Sequence, residues 1–199
     1  MTSGERTKFV LLAILDGWGV TIPSPGNAIS LAKTPNMDRF WSAFPHTQLS
    51  ASGESVGLPR GEPGNTETGH LNIGAGRIVY QDLARINMAI AEGSFFENKV
   101  IIQAIEHAAK NNSNLHIMGL IGAGGIHSNL EHLFALINLA KRRNFTRVFL
   151  HLFTDGRDSP PTSAKIYLKT VREVISREKV GQIASIMGRY WAMDRELRW

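Results

Sequence analysis

The feature that most constrains this chain is an alternation of apolar runs and amphipathic stretches from residue 98 onward. LHIMGLIG (115–122), RVFLHLF (147–153) and QIASIMG (182–188) have the length of strands. Residues 98–110 place Ile101, Ala104, Ile105 and Ala108 on one helical face, and 128–143 do the same with Leu130, Leu133, Phe134, Ile137 and Ala140. Residues 161–179 read as a third helix. Strands separated by helices of this length form βαβ units, so the predicted class is α/β with a parallel sheet. FVLLAIL (9–15), apolar throughout and stopping at Asp16-Gly17, is predicted as a further, fully buried strand. DGWGVTIPSPGN (16–27) is loop, and Thr34-Pro35 opens a helix whose Met37, Phe40, Trp41 and Phe44 are expected in the core. Residues 50–65 form a long loop of the kind that carries function.

Composition removes several function classes. The 199 residues include no cysteine, which excludes disulfides, thiolate metal sites and a cysteine nucleophile. No apolar run approaches about 18 residues, so no membrane span is expected. The start MTSGERTK lacks the apolar region of a secretory signal, and a cytoplasmic location is the expectation. The net charge of +5 raises the question of nucleic acid. The one dense basic cluster, KRRNFTR (141–147), closes a predicted helix, where cations complement the dipole. No nucleic-acid partner is expected, and the remaining arginines suit small anions.

In open α/β sheets, ligands bind beyond the carboxyl ends of the strands. Asp16 follows the first apolar run, and His127 follows the next, within AGGIHSN. TDGRD then delivers Asp155, Arg157 and Asp158, and RYWAMDRELRW delivers Arg189, Asp194, Arg195 and Arg198. Singly, each has a plain alternative as a turn residue, a helix cap or a surface ion pair. Together, at equivalent topological positions, they point to an anionic substrate held by arginine forks.

PGNTETGH (63–70) is the remaining dense motif. The chain has no Gly-Lys-Ser/Thr, so neither this stretch nor GLIGAGGIH is a P-loop, and GxGxxG is missing from both. A Thr66 hydroxyl at a helix start would gain from the positive dipole end. Such a hydroxyl is a weak nucleophile unless a base or a metal activates it, and Asp16 offers one oxygen ligand. On these residues alone, Thr66 as a plain helix cap remains an equal alternative.

LDGWG, GNAISLAKTPNMD, GLPRGEPGNTETGHLNIGAGRIVYQDL, GGIHS, HLFTDGRDSPP and MGRYWAMDRELRW occur in an order that closely resembles the 2,3-bisphosphoglycerate-independent (cofactor-independent) phosphoglycerate mutases of the alkaline phosphatase superfamily. The resemblance covers nearly the whole chain. It implies interconversion of 3- and 2-phosphoglycerate in glycolysis and gluconeogenesis through a phosphoenzyme, with two divalent metal ions, usually manganese. Residues 1–80 would be the first piece of a phosphatase-like α/β domain, and 81–199 an incomplete, inserted parallel-sheet transferase domain that binds phosphoglycerate. Asp16 and Thr66 would be metal ligands, and Thr66 the phosphorylated nucleophile. His127, Arg157, Asp158, Arg189 and Arg195 would hold the substrate, with Asp158 also moving protons at the glycerate hydroxyls. The family usually reads GNSEVGH, so Thr66 stands for its serine and Thr68 for its valine. Members are also longer, with further metal ligands in a later segment, so a C-terminal segment is an expected partner and this chain alone is expected to be inactive. The competing expectations are an inactive phosphate-binding fragment or split-gene subunit, and another phosphohydrolase or phosphomutase of the superfamily.

Overall fold

The computed structural model describes residues 9–198, which divide between Ser50 and Ala51 into two compact units. That division lies earlier in the chain than the boundary near residue 80 that the resemblance implies.

The first unit holds two short helices, α1 (Ala28–Leu31) and α2 (Pro35–Ala43). Asn27 starts α1, its side-chain oxygen accepting the amides of Ile29 and Ser30 at 3.1 and 3.3 Å. Pro35 opens α2 as expected, but Thr34 does not cap it; its hydroxyl donates to Asp38 at 2.9 Å. The buried strand expected at 9–15 is not formed: the segment has no strand pairing, and Phe9, Val10 and Leu11 are 80–87% exposed. A strand exists only as a member of a ladder, and no strand of this unit is available among the described residues to pair with it. The aromatic stripe of α2 is likewise not core, with Phe40 and Trp41 each 46% exposed. An amphipathic face is buried only against a second layer, and the described residues of this unit supply none; Trp41 instead stacks on His46, ring centroids 4.1 Å apart.

The second unit is α/β, as predicted. Strands β1 (Leu115–Ile121), β2 (Val148–Thr154) and β3 (Gln182–Gly188) lie side by side in chain order, all parallel. Helices α3 (Thr66–Ala75), α4 (Asp82–Glu92) and α5 (Lys99–Lys110) precede β1; α6 (Leu130–Arg142) and α7 (Ala164–Glu178) make the two crossovers, and α8 (Arg189–Ala192) follows β3. Asparagine sets three of these helix starts. Asn65, Asn98 and Asn129 each accept backbone amides of the first turn. Helix α7 begins at Ala164, later than the sequence suggests, because residues 161–163 form a turn closed by the Ser163 hydroxyl on the Pro160 carbonyl at 2.6 Å. Helix α4 was not anticipated. Its signal was present in Leu83, Ile86 and Ile90 followed by Gly93, which adopts φ +89° at the helix end.

One face of the sheet carries the core. Val148, Leu150 and Leu152 of β2 are buried with Ile105 and Ala108 of α5, Ile137, Leu139 and Ala140 of α6, and Val171 and Val174 of α7. A bulge between Leu150 and His151 resets β3, so that Ile183 and Ile186 pair with Leu150 and Leu152. The opposite face is open. There His116 and His151 share a hydrogen bond of 2.9 Å, and His151 Nδ1 meets the Ser185 hydroxyl at 2.8 Å. Among the described residues no helix is long and apolar enough to cross a membrane.

Candidate active site

Three chain segments meet where the parallel strands end. The loop after β1 runs Gly122 to Ser128, and the Ser128 hydroxyl donates back to the Leu120 carbonyl at 2.7 Å. The loop after β2 carries Asp155 to Ser159, and β3 passes directly into Arg189 at the start of α8. Glycine permits the close approach of the first two. A Cβ on Gly122 would lie 2.5 Å from the Ser159 hydroxyl, and one on Gly124 would lie 2.7 Å from Cβ of Asp158.

A single guanidinium organises the charges. Arg189 Nη1 donates to Asp155 Oδ1 at 2.9 Å and to Asp158 Oδ2 at 2.6 Å, with all three side chains 11% exposed or less. His127 Nε2 lies 3.9 Å from the same Asp158 oxygen and is 46% exposed. Burial pushes the Asp155 carboxyl up, but hydrogen bonds from Arg189, from the Arg157 and Asp158 amides and from the Ser159 hydroxyl outweigh it and hold the group at about 2. Its partners Asp158 and Asp155 raise Arg189 above its ordinary value. Beside this cluster opens a cleft of about 450 Å³, whose lining includes Arg157, Arg189, Tyr190, Arg195 and Arg198. Arg198 is held over the Tyr190 ring at 4.5 Å and bonded to Glu196. The arrangement can bind a compact anion through several guanidinium groups while a carboxylate and an imidazole stand next to it.

The residues expected for substrate fall together here: Arg157, Arg189 and Arg195 on the cleft, Asp158 on Arg189, His127 on Asp158. Tyr190 and the tie between Asp155 and Arg189 were not foreseen as parts of the site. Neither has a signal in the linear sequence beyond its place after a strand. Thr66 is the first residue of α3, and the helix cap is Asn65, whose side chain accepts the Thr68 amide at 2.9 Å. The loop before it reaches toward the strand ends, since a Cβ on Gly125 would lie 3.4 Å from Glu62 Oε1. Thr66 is not among the residues lining the cleft, and Asp16 belongs to the first unit. Among the described residues no three His, Cys, Asp or Glu side chains gather to hold a metal ion. The donors among the described residues therefore do not by themselves make a metal centre.

Residues 86–199 match the family description "BPG-independent PGAM N-terminus". The chain is 53% identical over 192 residues to the 2,3-bisphosphoglycerate-independent phosphoglycerate mutase of Clostridium kluyveri, covering 96% of the chain and 38% of that protein. It is 56% identical over 194 residues to the enzyme of the same name from Chloroflexus aurantiacus, covering 98% of the chain and 36% of that protein. The chain thus spans well under half the length of these relatives. Among solved structures it is similar to a phosphoglycerate mutase of Leishmania mexicana crystallised at low cobalt concentration. The TM-score is 0.61 and the identity 31%, over 84% of this chain and 32% of that one.

Proposed function

The chain belongs to the BPG-independent phosphoglycerate mutase family, and from that premise we propose that it supplies the phosphoglycerate-holding part of an enzyme that interconverts 3- and 2-phosphoglycerate in the cytoplasm. The observation that carries the reading is the arginine cleft at the strand ends, with Asp158 and His127 beside Arg189. Residues 1–80 would contribute to a phosphatase-like domain, and 81–199 to the transferase domain. In the whole enzyme, divalent metal ions would take Asp16 and Thr66 as oxygen donors from this chain.

In the proposed reaction Thr66 accepts the phosphoryl group. A bond forms between its hydroxyl oxygen and phosphorus, the substrate P–O bond breaks, and the proton Thr66 gives up balances the one the glycerate oxygen takes. Asp158 carries protons to and from the glycerate hydroxyls. Arg157, Arg189, Arg195 and His127 retain glycerate while the phosphoryl group is on Thr66, so that return to the other hydroxyl completes an isomerisation. Loss of glycerate at that stage would end in hydrolysis instead. The methyl group of Thr66 restricts χ1 relative to a serine.

Titration calorimetry of 3-phosphoglycerate into the 199-residue chain tests the reading. Binding tighter than that of inorganic phosphate is expected, weakened roughly tenfold or more by Arg157→Ala or Arg195→Ala, since a hydrogen bond to a charged group is worth about 1.5–3 kcal/mol. The chain alone is expected to bind without turnover. Equal affinity for phosphate and 3-phosphoglycerate would remove the substrate assignment, and mutase turnover by the isolated chain would overturn the division of labour.

A further inference from the structure

The tie between three loops at the strand ends has one residue at its centre. The Asp155 side chain is 3% exposed, and its carboxylate serves several donors at once. Oδ1 accepts the amides of Arg157 at 3.1 Å and Asp158 at 3.3 Å, which shapes the turn that presents both side chains. The same oxygen accepts Arg189 Nη1 at 2.9 Å. The Ser159 hydroxyl donates to this carboxylate while accepting the Ala123 amide at 3.1 Å, which brings in the loop after β1. Asp155 therefore bonds to its own turn and to the start of α8, and through Ser159 to the loop after β1, so its carboxylate is committed to these ties although the residue borders the cleft.

Asp158 is differently placed. It shares Arg189 with Asp155, at 2.6 Å, but its other neighbour is the exposed His127, 3.9 Å away. Asp158 holds Arg189 through Oδ2, and turning the side chain toward a substrate hydroxyl loosens that bond. When Asp158 turns to the hydroxyl, Arg189 keeps its place only if a second carboxylate holds it. We propose that Asp155 is the positioning residue of this site, fixing Arg189 and the Arg157–Asp158 turn so that Asp158 is free to act on substrate. This rests on the phosphoglycerate reading for the identity of the anion, and on the geometry alone for the anchoring of Arg189.

The test combines two readouts on the 199-residue chain, with the fold checked by circular dichroism. In the first, the Arg189 guanidinium resonances, identified by their loss in Arg189→Ala, are followed by NMR without ligand. Distinct, slowly exchanging Nη protons are expected in Asp158→Ala, where Asp155 alone holds Arg189, and averaged ones once Asp155→Ala is added. Asp155→Asn, which keeps the shape and one acceptor oxygen, serves if the alanine variant does not fold. In the second, 3-phosphoglycerate binding is measured in a double-mutant cycle. Asp155→Ala is expected to weaken binding about tenfold in the unsubstituted background and by clearly less in Arg189→Ala, where only its hold on the Arg157–Asp158 turn is left to lose. Additive effects, or an Arg189 spectrum indifferent to position 155, would overturn the role. A chain that binds no 3-phosphoglycerate but shows the Asp155-dependent Arg189 spectrum would overturn the substrate reading and leave the anchoring in place.

Discussion

Gly57→Ala is expected to destabilise the second unit by about 3–5 kcal/mol, against a typical total of about 5–15 kcal/mol for a folded domain. Gly57 adopts φ +81°, and a Cβ there would stand 2.1 Å from the Val79 carbonyl oxygen and 2.9 Å from Tyr80 Cα. These are backbone atoms and cannot rotate away. Nor can the two segments separate cheaply. Asn72 holds both, donating to the Val56 carbonyl at 3.0 Å and accepting the Val79 amide at 2.7 Å, and the Gln81 amide bonds to Gly57 itself at 2.8 Å. Relief of the clash would break hydrogen bonds worth about 1 kcal/mol each, in addition to left-handed backbone strain of about 1–2 kcal/mol. Gly76→Ala is the control. Its φ is +62°, but nothing lies within 4 Å of the added methyl, so only the strain is expected. Urea unfolding followed by circular dichroism separates the two; equal losses would show that the close approach at Gly57 carries no energy.

Leu150→Ala is expected to cost about 3–5 kcal/mol, the range for a buried leucine whose cavity cannot collapse. Leu150 is fully buried on the central strand, with helices packed over it and a strand on either side, so little can move into the space. Met118→Ala, one strand away on the open face and 68% exposed, is expected to change stability by less than about 0.5 kcal/mol. Thermal unfolding of the pair reads out which face of the sheet holds the unit together. A loss at Met118 comparable to that at Leu150 would contradict the one-sided core.

The sheet was legible because its information is local. The apolar runs around Leu115, Val148 and Gln182 are strands within about one residue of the predicted ends, and helical spacing marks the faces of α5 and α6. FVLLAIL carries an equally strong signal and forms no strand. Apolarity says that a segment seeks a partner, and only the surrounding chain decides whether one is there. The start of α3 shows a finer limit, since Asn65 and Thr66 are both good cap residues and composition cannot choose between neighbours. At the site, the rule that ligands collect beyond strand ends found Arg157, Asp158, Arg189 and Arg195. It could not give Asp155 its work, because a DGRD turn has the same sequence whether or not an arginine 34 residues away is tied to it.

The order of the strands also sets a tempo. The first pair of each ladder lies 33 positions apart, Leu115 with Val148 and Phe149 with Gln182, and neither pair can form until a whole helical crossover has closed. Loop closure must be met before such contacts return any energy, so the sheet assembles on a slower clock than the helices between its strands, and a chain caught during that interval presents unpaired strand edges to its neighbours.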